Sequence, residues 1–274
     1  MSRVTIEIGF LRNRHSARTG HIETGIGDKV LAASGEGLNT ARVVSHPEPI
    51  DSSDKNKYDW KIVRILNEED YRIMSENRNA AGNKKSEVKK EIRKEKLKMN
   101  LICLNYTYDR SKLYLYYTAE GRVDFRNLIR NLGSRFKVRI QMVQVGVRDA
   151  AAILGGVGLC GREICCSRFL RNIETVNIET ARSQNMVQNS ENISGCCGRL
   201  LCCLRFEEEF YCRTAKKLPP AGSKVISPEG KGTVLSNDPV KNSVKVELKD
   251  GKKKDFNAKD VSEGIKGRLK KWIK

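Results

Sequence analysis

Four short strand-like runs stand near the start of the chain, over 4–10, 29–33, 39–44 and 61–66, and the first alternates apolar with polar residues. Alternation with period two is the mark of half-buried strands. Gly25-Ile26-Gly27-Asp28 and Ser34-Gly35-Glu36-Gly37 supply turns between them. The pattern predicts a small β-barrel within a first domain, 1–75. From 68 to 99 the period lengthens to that of a helix, and Val88, Ile92 and Met99 leave one narrow apolar face. Residues 76–100 therefore read as a basic helix or connector. Strands follow over 101–108 and 113–117 around Asp109-Arg110-Ser111. A helix is expected over 123–136, with Phe125, Leu128, Ile129 and Leu132 at spacings of three and four, and a strand over 138–145. A hairpin, helix and strand imply an antiparallel or mixed sheet with helices on one face. Beyond Leu218-Pro219-Pro220, strands at 223–227, 232–235, 243–248 and 254–256 predict an SH3-like barrel in 216–274. A short basic helix or tail carrying Trp272 is expected over 265–274. The fold class is α+β: an N-terminal small β-barrel, a central mixed α/β sheet domain with a cysteine-rich module over 101–215, and a C-terminal SH3-like β-barrel.

Composition narrows the function classes. Hydrophobic residues make up 39% and charged residues 31% of 274, with 6 prolines, which suits a folded chain with polar surfaces. No apolar run approaches the roughly 20 residues of a membrane helix. The alternating start, interrupted by Glu7, lacks the continuous apolar stretch of a signal peptide. A cytoplasmic chain without membrane insertion is expected, and its nine cysteines then read as thiols rather than a disulfide framework. Lys plus Arg outnumber Asp plus Glu by 52 to 33, a net charge of +19, which favours polyanions and RNA first among them. Lys89, Lys90, Arg93 and Lys94 are the candidate phosphate contacts, against the plainer reading of a solvated helix face held by charge pairs. Tyr106, Tyr108, Tyr114, Tyr116 and Tyr117 are explained either by stacking on bases or, more simply, by aromatic pairs across two strands. His15, His21 and His46 carry no carboxylate or thiol pattern and read as surface or turn residues.

The middle of the chain carries the chemistry. Eight of the nine cysteines fall within 146–213, and from Val138 to Ala215 every basic residue is arginine. Cys160-Gly161-Arg162-Glu163-Ile164-Cys165-Cys166 returns 37 residues later as Cys197-Gly198-Arg199-Leu200-Leu201-Cys202-Cys203. Cysteines buried only as small hydrophobes would not repeat the flanking Gly-Arg. A thiolate metal or cluster site needs about four converging sulfurs, and the two copies offer six: Cys160, Cys165, Cys166, Cys197, Cys202 and Cys203. Gly161 and Gly198 let the backbone bend tightly, while Arg162 and Arg199 would offset thiolate charge and lower thiol pKa values. Structural zinc sites favour C-x2-C knuckles, which the chain lacks, so iron–sulfur comes ahead of zinc. A nucleophilic thiol would want a base, and no histidine follows His46. No enzyme is expected.

At these residues the chain resembles the RicT (YaaT) family of bacterial proteins, which share a polymerase-suppressor-type (PSP) C-terminal domain. The likeness runs from Tyr117-Thr118-Ala119-Glu120-Gly121-Arg122-Val123-Asp124-Phe125-Arg126 through Gly146-Val147-Arg148-Asp149 and Leu154-Gly155-Gly156. It continues through the first cysteine motif, Ala181-Arg182-Ser183-Gln184-Asn185 and Ile193-Ser194-Gly195-Cys196-Cys197-Gly198-Arg199-Leu200, ending near Phe206. The resemblance implies a non-catalytic regulatory subunit that joins two small helical proteins and binds [4Fe–4S] clusters with them. It further implies action as adaptor for an mRNA-processing endoribonuclease, with a sporulation-type phosphorelay role in some lineages. Carried over by position, the cluster thiols are the same six cysteines. Cys196 replaces an apolar residue of the family, and Cys103 and Cys212 fall outside both motifs as buried or incidental thiols. The alternative is an RNA-binding module whose cysteines hold a structural zinc or are simply buried.

Overall fold

The computed structural model describes residues 2–35, 37–50, 59–170, 173–186 and 189–263, so the expected tail over 265–274 lies outside the described residues. The chain divides into two compact units, residues 1–157 with 166–168, and residues 158–165 with 169–274.

The first unit opens with strands β1 (Ser2–Ile8), β2 (Asn13–Arg18), β3 (Lys29–Ser34), β4 (Gly37–Val43), β5 (Glu48–Pro49) and β6 (Trp60–Ile65). Pairing runs β2-β6-β3-β4-β1 and returns from β1 to β2, closing a five-stranded barrel with β5 added along β1. Val4, Ile6, Ala17, Val30, Ala32, Val43, Trp60 and Ile62 fill it. The alternation read at the start of the chain is thus the inward–outward alternation of β1 in a closed sheet, whereas β3 buries Val30, Leu31 and Ala32 in succession. β2 was not anticipated because Asn13-Arg14-His15-Ser16-Ala17-Arg18 buries fully only Ala17. Its place is set by the hairpin with β1, not by its own pattern. His15 lies against Trp60, ring centroids 5.6 Å apart, and His21 and His46 are exposed.

Helix α1 (Glu68–Lys94) starts at a capping box, in which Asn67 accepts from the Asp70 N–H and the Asp70 carboxylate accepts from the Asn67 N–H. It is shorter than the 68–99 expected, ending at Lys94. A three-stranded sheet follows, β7 (Asn100–Tyr106), β8 (Lys112–Thr118) and β9 (Arg139–Gln144), antiparallel between β7 and β8 and parallel between β8 and β9. Helix α2 (Arg126–Phe136) makes the crossover that a parallel pair requires. It starts three residues later than expected. Val88 and Ile92 of α1, Leu128 and Leu132 of α2, Met99 and the sheet residues Leu113, Leu115 and Ile140 form one core.

The sheet is covered on both faces, not one. Helix α3 (Val147–Leu154) brings Ala150 and Ile153 to the other side, where Tyr116, Val145, Ile102, Cys103, Phe10 and Leu11 gather. A bulge between Leu101 and Cys103 places the consecutive residues Ile102 and Cys103 on that side, while Leu101 and Leu104 keep to the α1 side. Tyrosines do not pair across β7 and β8: Tyr117 faces Leu101, Tyr116 faces Cys103, and Tyr114 faces Asn105. Their aromatic contacts are Tyr114 with Tyr116 along one strand, Tyr116 with Phe10, and Tyr117 with Phe125.

The second unit ends in strands β10 (Lys224–Ser227), β11 (Gly230–Asp238), β12 (Ser243–Leu248), β13 (Lys253–Asn257) and β14 (Ser262–Glu263), paired antiparallel in the order β13-β12-β11-β10-β14. Val225, Val234, Val244, Val246, Phe256 and Leu218 form its core. The described pairings give a five-stranded antiparallel sheet and do not include the closure that an SH3-like barrel requires.

Candidate metal centre: two matched cysteine turns

Between these elements the chain makes short helices that sequence periodicity did not reveal: α4 (Cys165–Arg168), α5 (Ile178–Ser183), α6 (Ser190–Ile193) and the longer α7 (Cys202–Ala215). Each cysteine motif is one turn followed by one helix start, and the two copies are alike in detail. The Gly158 N–H donates to the Arg162 carbonyl at 2.8 Å and the Gly161 N–H to the Gly158 carbonyl at 2.9 Å. In the second copy Gly195 donates to Arg199 at 2.8 Å and Gly198 to Gly195 at 2.9 Å. Gly161 and Gly198 have φ of +74° and +73°, the left-handed region where a side chain is disfavoured, which is why glycine follows the first cysteine in both copies. Ile164 and Leu201 then turn the chain at φ/ψ of −58°/134° and −57°/131°, and helices begin at Cys165 and Cys202.

Cys202 and Cys203 therefore occupy the first turn of α7, whose start has no side-chain cap. The positive end of the helix dipole favours anionic sulfur there. Against this, burial pushes the Cys203 thiol above its ordinary value, and Cys165, Glu207 and Cys202 add to the rise. The expectation that arginine would lower thiol pKa values is not met at Cys203. Arg162 and Arg199 are exposed, and what surrounds that sulfur is apolar matter and other acids. The same set of causes puts Cys165 and Cys202 each within electrostatic range of Cys203. Cys160 is exposed, Cys165, Cys197, Cys202 and Cys203 are half-buried, and Cys166 is buried.

Thiols fit a soft metal or an iron–sulfur cluster by their chemistry. Among the described residues, however, no three His, Cys, Asp or Glu side chains stand close enough together to hold a metal ion. The six cysteines fall into two sets of three, each with one cysteine at a turn and two at a helix start.

The remaining cysteines separate cleanly. Cys103 is half-buried in the first unit, where burial pushes its thiol up to about 11. Cys212 lies exposed on α7, so of the two readings, buried or incidental, burial does not apply to it. Cys196 is exposed at the second turn. Lys89, Lys90, Arg93 and Lys94 are all exposed on α1, and Lys94 pairs with Glu91 at 3.4 Å, the arrangement of a solvated face.

The module is held by residues that the sequence flagged only as part of a likeness. Ala181 is fully buried with Ile193 and Leu204. The buried Gln184 amide donates to the Leu204 carbonyl of α7 at 2.6 Å, and the Asn185 amide donates to the Asn237 carbonyl of β11 at 2.9 Å. Ala181-Arg182-Ser183-Gln184-Asn185 is thus a clamp on α7, the helix that presents Cys202 and Cys203.

The chain matches the PSP1 C-terminal conserved region over residues 60–145 and the PSP1-like protein third domain over residues 175–218. It is 37% identical over 219 residues to Stage 0 sporulation protein YaaT of Bacillus subtilis (strain 168), covering 80% of each chain. The chain belongs to the YaaT family of PSP1 proteins. A shorter stretch of 55 residues is 44% identical to an uncharacterized protein of Schizosaccharomyces pombe, covering 20% of this chain and 7% of that one. No solved structure matches the chain. The first PSP1 match spans β6, α1, the three-stranded sheet and α2, and the second spans α5 to α7 with the second cysteine turn. Membership therefore rests on both units. Among the described residues no helix is long and apolar enough to cross a membrane.

Proposed function

We propose that the chain is a non-catalytic regulatory subunit of the cytoplasm whose doubled cysteine module binds [4Fe–4S] clusters together with partner proteins. In that role it would act as an adaptor for an mRNA-processing endoribonuclease, in the setting of regulation that the name of the sporulation relative suggests. The observation that carries the reading is the likeness of the two cysteine turns, which share the C-G-R-x-x-C-C residues, two matching backbone hydrogen bonds and a left-handed glycine.

Cys160, Cys165, Cys166, Cys197, Cys202 and Cys203 are the thiols that would hold the clusters. A bound cluster would supply redox- and iron-dependent cross-linking of the thiolates. The chain's own residues keep that arrangement incomplete: like acids around Cys203 hold its proton, and the two motifs present no closed set of donors. An incomplete set suits ligation completed by a second chain. Leu159, Phe169, Phe206 and Phe210, each at least 51% exposed, lie in the same unit and offer an apolar face to small helical partners. Phe169 and Phe206 already stack edge to face at 5.2 Å.

The test is anaerobic purification of the chain, alone and co-expressed with its small partners, followed by iron, zinc and acid-labile sulfide analysis. Iron and sulfide in matched amounts, lost together with partner recovery when all six cysteines are changed to serine, is the expected result. Stoichiometric zinc without sulfide in both samples, or unchanged assembly of the six-serine variant, would overturn it. Zinc would return the chain to the alternative of an RNA-binding module with a structural metal.

A further inference from the structure

A groove of about 550 Å3 runs across the first unit, between the outer wall of the barrel, the first half of α1 and the end of β7. Four cations line it from four different places: Arg12 from the β1–β2 turn, Lys29 from β3, Arg42 from β4 and Arg78 from α1. All four are exposed, so the groove opens to water. Glu7 is the carboxylate that lines it, and it already accepts a hydrogen bond from Arg14 at 3.2 Å. Arg42 stands in register with Glu7 on one side and Lys29 on the other, so this wall is a ladder of charge across three strands. Neither Arg12, Arg42 nor Arg78 has an ion-pair or hydrogen-bond partner among the described side chains.

Like charges set facing one cleft repel one another, and their field concentrates anions there. The cleft also offers a flat apolar surface. Tyr71, on the first turns of α1, is 45% exposed in the groove wall, and the Lys29 Nζ lies 5.1 Å from its ring centroid. A ring beside a cation is the pairing that receives a base and the phosphate next to it. The Asn105 amide on the far wall adds a donor and an acceptor for a base edge. Duplexes keep their base faces inside the stack, so a recessed ring selects single strands. The volume falls within the roughly 300–1,000 Å3 of small-ligand sites, room for one or two nucleotides rather than a long tract.

We infer that this groove binds the nucleoside phosphates of a single-stranded nucleic acid, with Tyr71 as stacking platform and Arg12, Lys29, Arg42 and Arg78 as phosphate partners. The site lies in the first unit, apart from the cysteine turns, and does not rest on the cluster reading. It also moves the nucleic-acid contact away from Lys89, Lys90, Arg93 and Lys94, which lie further along α1 and do not line the groove.

Fluorescence anisotropy with labelled U10, dT10 and a ten-base-pair RNA duplex, with UMP as competitor, tests this on the full chain. U10 should bind, and the duplex should bind at least tenfold more weakly. Changing Arg42 and Arg78 together to glutamate should lower U10 affinity at least tenfold and flatten the slope of log K against log salt by about 1.4, two phosphate contacts at about 0.7 each. Tyr71→Ala should cost about 5- to 100-fold, and Lys89→Glu with Lys90→Glu should leave affinity within twofold. Equal binding of dT10 assigns the site to single strands of either sugar. Displacement of U10 by UMP at matched nucleotide concentration assigns it to a free nucleotide. No U10 binding at 50 mM salt, or loss of binding with the Lys89/Lys90 pair and not with Arg42/Arg78, would overturn the inference. Because Arg42 and Arg78 are exposed and make no ion pair or hydrogen bond among the described side chains, their variants should keep the wild-type circular dichroism melt, and any that do not are replaced by Arg42→Gln and Arg78→Gln.

Discussion

Asp70 is fully buried, yet it remains charged because every neighbour answers that charge. Arg64 forms a two-pronged pair with it, the Tyr108 hydroxyl donates to it at 2.5 Å, and the Asn67 N–H donates at 2.8 Å. The Arg64 guanidinium first, then the Tyr108 hydroxyl and the Asn67 N–H, hold the Asp70 carboxyl well below the ordinary 3.8, although burial works the other way. Those partners come from β6, the β7–β8 turn and the helix cap, so one side chain ties three pieces of the first unit. Asp70→Asn keeps the shape and removes the charge, and should cost about 2 kcal/mol in urea denaturation at pH 7. The native carboxyl is more acidic than the unfolded one, so its contribution is full above about pH 4 and fades as pH falls through the native value. The gap between wild type and Asp70→Asn should therefore close on acidification below pH 4. A gap that stays undiminished from pH 5 down to pH 2 would show that shape rather than charge is responsible.

Element α1 has two faces of unequal worth. Val88 and Ile92 are buried with Leu113, Leu115, Leu128 and Leu132 of the sheet and α2, whereas Lys89 and Lys90 point to water. Leu113→Ala removes a fully buried side chain from that core and should cost about 2–5 kcal/mol. Lys89→Ala or Lys90→Ala should stay within about 0.5 kcal/mol. Urea midpoints at constant m-value would check both. The helix is also anchored at its exposed edge: Glu87 pairs with Arg135 of α2 at 3.8 Å, and the Asn131 amide donates to Glu91 and Glu95. The α1 side chains spent on the neighbouring helix are thus carboxylates, while Lys89 and Lys90 stay exposed.

At the scale of the whole molecule, the cores are local. The barrel and the α1–α2 sheet core draw only on the first unit, and the cysteine clamp and the C-terminal sheet only on the second. Loss of the motif thiols should therefore be felt unevenly. Because Cys166 is buried and belongs to the first unit, the test changes the other five motif cysteines to serine, and hydrogen exchange should then be faster in α5 and α7, with β1–β9 unchanged within error. Uniform loosening of both units would contradict separate cores. It would not by itself bear on the nucleotide groove, which is built from first-unit residues alone.

Strand periodicity and helix periodicity determined several of the elements, because the buried side chains of β1, β4, β6 and α1 recur at the spacing of their own element, whereas β3 and β8 bury consecutive residues and were legible as apolar runs. The repeated Cys-Gly-Arg pattern likewise marked the site, since a left-handed glycine and a helix start are local demands written in adjacent residues. Tertiary structure decided what local pattern does not carry. β2 has one fully buried residue and exists because β1 and β6 flank it. The bulge at Leu101 to Cys103 shifts the faces of β7, and α3 covers a face that the helix count left open. The groove was invisible in sequence for the same reason. Arg12, Lys29, Arg42, Tyr71 and Arg78 are separated along the chain, and only closure of the barrel against α1 turns scattered surface cations into one concentrated field.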